Sequence, residues 1–199
     1  MSETLDLWDY RRRVAESYTR VRGGGAGSDV WERWRQDRDD LFAHHPQTPI
    51  EDRAGFTSLP YYAYSPEWRV TADFQDDAGA LMEIGHSDGG STPFHRFGWA
   101  EFEVAGNHGS LALYRLESYG GGVFLPFRDL SNGNETYGGG RYLLDTAKGA
   151  DLGHEGSRIV LDFNYAYHPS CVHSPRWSCP LSPPENRLPF VVSAGERVA

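Results

Sequence analysis

Residues Val123–Asp145 read VFLPFRDLSNGNETYGGGRYLLD, and residues 158–189 continue with RIVLDFNYAYHPSCVHSPRWSCPLSPPENRLP. Both stretches have apolar runs typical of β-strands, but charged and amide side chains interrupt these runs. A strand that only builds a core has no use for such side chains. The surrounding glycines and tyrosines are typical of a place where a ligand or another backbone approaches closely. We therefore interpret this part of the chain as the wall of a pocket.

The size and charge of the chain exclude several classes of protein. A chain of 199 residues buries about 70% of its unfolded surface without disulfide bonds or metal ions. Its 19 basic and 28 acidic residues give a formal net charge of −9, which predicts that it does not bind nucleic acid. The absence of a long apolar run and of a secretory pattern predicts a cytoplasmic protein that does not enter a membrane. Two cysteines, Cys171 and Cys179, are too few for a disulfide framework and predict a reducing compartment.

Two α-helices are predicted before the β-structure. Apolar residues recur at helical spacing from Thr4 to Arg22, and a second apolar stripe ends at His44 after a glycine-rich break. Amphipathic helices of this length are marginal alone, so their aromatic faces must bury against the rest of the chain or a second subunit. This predicts a helical attachment over residues 4–45 and leaves open a homodimer formed through it.

After Phe56 the apolar residues alternate with a period of two, as in half-buried strands. Residues 68–74 form one such strand, 76–79 (DDAG) predict a turn, and 81–86 predict the returning strand. Residues 94–105 and 110–118 predict a second hairpin. Seven or eight strands in this order predict a mainly β fold, an antiparallel meander that closes into a β-barrel or strongly coiled sheet, because closure removes exposed edges. We predict a single domain over residues 1–199, with a barrel-like body at 56–199 wrapped by its Pro-rich C-terminal segment.

Several sequence blocks resemble a widespread prokaryotic family known only as a domain of unknown function. The blocks are PFRD (126–129), ETYGGGRYLLD (135–145), LDFNYAYHPSC (161–171) and WSCPLSPPENRLP (177–189). The similarity extends to WDYRRRVAESY (8–18) and YSPEWR (64–69), so it covers most of the chain. This resemblance implies no established activity. It also implies an Asn and an aromatic residue where this chain has His168 and His173.

His168, Cys171, His173 and Cys179 lie within twelve residues and invite a metal interpretation. Their spacing lacks the C-x2-C or H-x3-H pairs that bring ligands together on a turn, so we predict no metal site. The alternatives are two small buried thiols beside Trp177, or a disulfide that closes a short loop.

A set of polar residues on the late strands is the better candidate for a site. If the polar face of residues 160–166 looks into a barrel, Arg141, Asp162 and Asn164 converge on its lumen. An arginine there can bind a carboxylate or phosphate through two parallel hydrogen bonds, and a carboxyl against apolar walls has its pKa raised. The alternative is a buried ion-pair network, such as Arg141 with Asp162, that serves the fold alone. The candidate catalytic residues are Asp129, Glu135 and Asp162, and the candidate ligand-binding residues are Arg128, Tyr137, Arg141 and Asn164.

Three functions therefore compete. The preferred one is a barrel that binds a small anionic molecule, either as a binder or as an enzyme that uses carboxylate acid–base chemistry, with no cofactor. The second is a non-catalytic structural or interaction module in which Trp8, Trp31 and Trp34 dock a partner or a second subunit. The third, a flavin-type cofactor binder, rests on analogy between folds. A polar-lined cavity at the late strands favours the first function, and an exposed aromatic helix face favours the second.

Overall fold

The computed structural model describes residues 2–117 and 120–198. It begins with two long helices, α1 (Glu3–Gly24) and α2 (Ser28–His44), which confirms both predicted helices. Each helix buries one apolar stripe, through Tyr18 and Val21 in α1 and through Trp31 and Trp34 in α2. No helix in these two ranges combines the length and apolarity needed to cross a membrane.

Within the described residues, seven strands follow and form one sheet in which every strand pair is antiparallel. Their order across the sheet is β5-β4-β3-β2-β1-β7-β6. This confirms the mainly β, antiparallel class. The predicted strand end at Ser118 lies outside the described residues. The strands are β1 (Arg69–Gly85), β2 (Ser91–Val104), β3 (Asn107–Leu116), β4 (Val123–Phe127), β5 (Arg141–Asp145), β6 (His154–Glu155) and β7 (Arg158–Asp162).

The predicted closure into a β-barrel or strongly coiled sheet is wrong, because β5 and β6 are the two edges of the sheet and do not pair. The chain leaves β7 at Asp162 in a 3-10 turn, Phe163–Tyr165, so β7 is too short to run along β5. Tyr142 of β5 meets this part of the chain in an isolated bridge with Tyr167, whose N···O distances are 2.9 and 3.1 Å. The bridge shields the edge of β5 locally, which reduces the need for a closed ladder.

The turn predicted at residues 76–79 is also wrong, because β1 runs through it without reversing. Residues 81–85, predicted as part of the returning strand, continue the same strand. The register between β1 and β2 shifts between Asp76 and Ala80, which marks a β-bulge. Gly79 takes a φ of 82° there, and its N–H donates to Asp77 Oδ1 at 3.3 Å. Short polar residues and glycine suit a bulge as well as a turn, so composition alone does not separate the two.

Hydrophobic clusters lie on both faces of the sheet. On β3, Leu111 and Leu113 belong to one cluster, while Ala112 and Tyr114 belong to the other, as the alternation of a strand requires. The first cluster includes Leu188 and Val192 of the C-terminal segment, and the second includes Trp31 and Trp34 of α2. The C-terminal segment and the helices therefore cover opposite faces of the sheet.

Candidate functional site

Arg141 and Asp129 form an ion pair that is completely buried. Arg141 Nη2 lies 2.6 Å from Asp129 Oδ2, and both side chains have no exposed surface. The same guanidinium donates to backbone carbonyls of the C-terminal segment, from Nη2 to Val192 (3.1 Å) and from Nη1 to Ala194 (2.5 Å) and Glu196 (3.3 Å). All of these partners belong to the protein itself, as in the alternative of a buried ion-pair network that serves the fold alone. The partner of Arg141 in this network is Asp129 and not Asp162. The role of Arg141 as a ligand clamp stays a prediction.

Arg128 and Glu135 lie apart from this pair. The backbone of Arg128 bonds to the C-terminal segment, donating to Asn186 O at 2.7 Å and accepting from Leu188 N at 2.8 Å. Glu135 accepts a hydrogen bond from the Tyr62 hydroxyl at 3.0 Å, and its side chain is 42% exposed. Within the described chain, no hydrogen bond or ion pair joins either side chain to Arg141 or Asp162.

Asp162 and Asn164 form a second polar group where β7 ends. Asp162 Oδ1 accepts hydrogen bonds from the Asn164 backbone N (3.0 Å) and Nδ2 (2.8 Å). Asn164 in turn holds Ser65, donating to its carbonyl at 2.8 Å and accepting from its N–H at 3.0 Å. Asn164 therefore links the turn after β7 to the segment that contains Ser65. Asp162 Oδ2 has no hydrogen-bond partner within residues 2–117 and 120–198.

Asp162 is buried and lines a small cavity of about 60 Å³, whose walls include Arg22, Arg69 and Tyr165. Burial raises the pKa of Asp162 to about 6, and the hydrogen bonds from Asn164 oppose this rise. The two arginines that line the cavity also bind carboxylates outside it: Arg22 lies 3.2 Å from an Asp151 oxygen and Arg69 lies 3.0 Å from a Glu155 oxygen. The cavity thus combines two guanidinium groups with a carboxyl that titrates near neutral pH.

Tyr137 belongs to a third group, which includes both thiols. Its backbone N donates to His168 Nε2 at 3.1 Å. Cys171 is half-buried, Cys179 is buried, and both are free thiols. A side-chain hydrogen bond from Cys179 is the largest cause that lowers the pKa of Cys171 to about 6, and Ser87 and Tyr137 contribute further hydrogen bonds. The same Cys179–Cys171 hydrogen bond, together with burial, raises the pKa of Cys179.

The glycines after Tyr137 fix the position of this group. A Cβ on Gly139 would lie 2.3 Å from the Tyr137 ring and 2.9 Å from the side chain of Leu181. Gly140 has a φ of 100°, and a Cβ there would lie 2.6 Å from the Phe127 carbonyl. This confirms the expectation of close approach at these glycines.

Glu196 is a buried acid that sequence reasoning missed. Its Oε2 accepts hydrogen bonds from Arg38 Nη2 (2.8 Å) and His168 N (3.0 Å), and its Oε1 lies 3.6 Å from His168 Nδ1 and 3.5 Å from His173 Nε2. Burial opposes ionisation of Glu196, but the Arg38 charge and the two imidazoles outweigh it and hold its pKa well below the usual range. A glutamate between small and charged residues looks like an exposed one, so no sequence signal could have found it.

The two histidines therefore face Glu196. His168 Nε2 accepts a hydrogen bond, so its proton lies on Nδ1, towards Glu196. In the part of the chain that the structure describes, no group of three or more His, Cys, Asp or Glu residues is arranged to hold a metal ion.

Most of the chain matches the model of a known protein family. Residues 54–197 match the model of the family described as protein of unknown function (DUF1684). The chain belongs to the DUF1684 family. This confirms the resemblance seen in the sequence, and the family brings no established activity. The DUF1684 match contains every candidate site residue and begins after α2.

Among the solved structures that match this chain is one that is similar over most of its length. It is the solution NMR structure of an uncharacterized protein from gene locus rrnAC0354 of Haloarcula marismortui. That protein is 34% identical, the similarity covers 84% of this chain and 91% of that chain, and the TM-score is 0.61. No curated protein matches the chain.

Proposed function

We propose that the protein binds a small carboxylate in the cavity at Asp162, and that Asp162 exchanges a proton with the bound molecule. One observation carries this proposal. The buried carboxyl of Asp162 has an unpartnered Oδ2 and a pKa raised to about 6, and it stands at the wall of a cavity. Oδ2 is not fully enclosed by the protein, so it is accessible to a molecule in the cavity and can bond with it.

The cavity limits the size and charge of that partner. Its volume of about 60 Å³ is roughly twice the share of one molecule in liquid water, so it accepts a group of a few heavy atoms. Arg22 and Arg69 line the cavity and favour a negative charge. A protonated Asp162 would donate a hydrogen bond to one oxygen of the anion, since its Oδ1 is already occupied by Asn164.

This arrangement couples binding to the uptake of a proton. An anion beside Asp162 favours the neutral carboxyl and raises its pKa further. The affinity for the anion should therefore be constant below about pH 6. Above that pH it should fall about tenfold per pH unit, up to the higher pKa that Asp162 has in the complex. A carboxyl with a pKa near 6 also serves well as a general acid or base at neutral pH.

The test is a titration with acetate from about pH 5 to about pH 8, followed by ¹H–¹⁵N NMR shifts of residues around the cavity. In Asp162→Asn, the amide imitates the protonated acid, so acetate should bind with an affinity that no longer depends on pH. Asp76→Asn, which removes an exposed carboxylate, should bind like the wild type. Absence of acetate binding at every pH, or binding that strengthens as the pH rises, would overturn the proposal.

A second candidate function is an interaction module that forms a homodimer through α1. Trp31 and Trp34 are buried in the core, but Leu5 is 48% exposed and Trp8 is 62% exposed. These two apolar side chains favour contact with a second copy, and Trp8→Glu should lower the molar mass measured by light scattering if that contact forms. The described strands form an open sheet, so the barrel fold class on which the flavin analogy rested does not support it. We also propose that residues 1–199 form a single domain and that the protein is cytoplasmic, as the sequence predicts.

A further inference from the structure

Strand β1 is open on one side over much of its length. On one side it pairs with β2 from residue 73 to residue 85, but on the other side it pairs with β7 only over residues 69–72. In residues 2–117 and 120–198, the backbone of residues 74–83 bonds to no strand other than β2. Every second residue of an antiparallel strand directs its N–H and C=O groups to the same side, so this stretch has backbone groups that an added strand can reach.

The part of this stretch before the β-bulge is regular and exposed. Residues 73–76 pair with β2 without a register shift, and all of them are exposed. Sheet edges are commonly protected by a bulge, a lysine or a proline. Here the bulge begins only after Asp76, and residues 73–76 include neither lysine nor proline. These residues, which we call the free edge, therefore offer a template for an extended peptide.

A groove with a volume of about 650 Å³ lies on the sheet where the free edge begins. Glu155 Oε1 lies 3.0 Å from Arg69 Nη2, and Glu103 Oε1 lies 3.0 Å from His108 Nδ1, so both of these carboxylates have a partner. The charged and titratable residues of the lining are Arg69, Asp73, Glu101, Glu103, His108 and Glu155. Because carboxylates outnumber cations in it, the groove favours a positively charged ligand.

Two carboxylates of this groove, Asp73 and Glu101, lie directly opposite each other on β1 and β2. Within the described part of the chain, neither of them forms a hydrogen bond or an ion pair. Like charges at opposite positions of two strands repel, so a cation beside them relieves a destabilising contact. A strand added next to Asp73 brings a basic side chain within reach, because the Cβ atoms of cross-strand neighbours are about 5 Å apart.

The opposite face of the free edge is apolar. Phe74 points to this face, because successive side chains of a strand alternate. Its side chain is 38% exposed, and its ring centroid lies 5.8 Å from that of Phe97, which packs against the cluster that includes Leu188 and Val192. The free edge therefore combines carboxylates on one face with a partly exposed aromatic ring on the other.

We propose that the free edge binds an extended peptide in which basic and apolar residues alternate, and that this peptide adds a strand to the sheet. Its backbone pairs with residues 73–76 of β1. Its basic side chains lie beside Asp73 and Glu101, and its apolar side chains pack on Phe74. The proposal does not rest on the cavity at Asp162.

Charge makes a basic peptide a better occupant than a second copy of this chain. After Arg69, β1 has no lysine or arginine. Its charged residues there are Asp73, Asp76, Asp77 and Glu83. Symmetric pairing of two such edges would bring carboxylates of both copies together, which is destabilising.

The first experiment compares three blocked, fluorescently labelled peptides of equal composition by fluorescence anisotropy at low salt. One alternates lysine and valine, one has its lysines and valines in separate blocks, and one alternates but is methylated at every backbone nitrogen. The alternating peptide should bind, and its affinity should fall as salt is added. The other two should bind about tenfold more weakly, because one cannot direct all its lysines to one face and the other cannot donate backbone hydrogen bonds.

Two results of this comparison overturn the proposal. If the alternating peptide does not bind, the free edge does not accept a strand. If all three peptides bind equally, charge alone attracts them and no strand is added.

The second experiment locates the peptide. In the wild type, the amides of the free edge that point outward should exchange with solvent more slowly in the complex, and protection confined to another part of the chain would contradict the site. Asp73→Asn combined with Glu101→Gln should bind the alternating peptide about tenfold more weakly. Asp40→Asn removes a carboxylate that is 64% exposed on α2 and should bind like the wild type. Equal affinities of these two variants would overturn the role of the groove, and the exchange measured on the wild type decides if the double variant does not fold.

Discussion

Replacing Arg141 with alanine tests what holds the C-terminal segment against the sheet. The substitution leaves the Asp129 carboxylate buried without its cation and three backbone carbonyls, those of Val192, Ala194 and Glu196, without their donor. Breaking a buried ion pair costs about 3–5 kcal/mol, and an unpaired buried acceptor costs about 1–3 kcal/mol. These costs share one side chain and do not add fully, so we expect the free energy of unfolding to fall by about 5 kcal/mol.

Urea unfolding followed by tryptophan fluorescence measures this loss. With a slope of about 2 kcal/mol per molar urea, the midpoint should move down by about 2.5 M. Arg141→Lys should recover less than half of the loss, because one ammonium group cannot reach Asp129 and three carbonyls at once. The paired change Arg141→Met with Asp129→Leu should be more stable than Arg141→Ala, because it leaves no buried charge unpaired.

The same variants separate the two roles considered for Arg141. A midpoint for Arg141→Ala within about 0.3 M of the wild type would refute the reasoning, because the guanidinium would then contribute little to the fold. Such a stable variant would favour the ligand clamp, because the fold would then not need the guanidinium. A midpoint lowered by about 2.5 M would instead establish the fold-serving role.

Three further predictions concern buried or strained positions. The pKa of Asp162 is raised from 3.8 to about 6 on folding, so the wild type should lose up to about 3 kcal/mol of stability as the pH rises from about 4 to about 6, a loss absent from Asp162→Asn in calorimetry. Glu196 has a lowered pKa, so its contribution is present above about pH 4.5 and lost below it; Glu196→Gln should cost about 3–5 kcal/mol at neutral pH by stranding Arg38, and should flatten the acid limb of a urea-midpoint profile. Gly195→Ala should destabilise far more than Gly25→Ala in thermal melts: both positions have positive φ, but only at Gly195 would a Cβ meet two backbone carbonyls at 2.7 Å, and equal losses would contradict this.

Local patterns in the sequence predicted the local structure well and the long-range closure poorly. The helical spacing of α1 and α2 follows from short-range periodicity, and both helices form where expected. The prediction of a turn at residues 76–79 was wrong because glycine and aspartate suit a bulge and a turn equally well. The prediction of a closed barrel was wrong because closure depends on how far β7 extends. The 3-10 turn after Asp162 ends that strand.

For the polar residues too, the sequence predicted short-range neighbours better than long-range partners. The sequence indicated that Asp162 and Asn164 lie near each other, because they are two residues apart on one strand face. It could not pair Arg141 with Asp129, nor Arg38 with Glu196 across 158 positions, because no periodicity links such distant residues. The candidate residues therefore fall into separate groups, and the sequence could identify the members of the groups but not their partners.

The ion pair between Arg38 and Glu196 has a consequence for synthesis on the ribosome. Arg38 is made early, yet its charge has no carboxylate partner in the core until Glu196 has been translated and has reached it. The guanidinium of Arg141 likewise waits for the carbonyls of the C-terminal segment. Because contacts this distant in the chain form slowly, the aromatic faces of α1 and α2 stay uncovered during elongation. The nascent chain is thus expected to be a client of chaperones, and a premature stop just before Glu196 should prevent folding altogether.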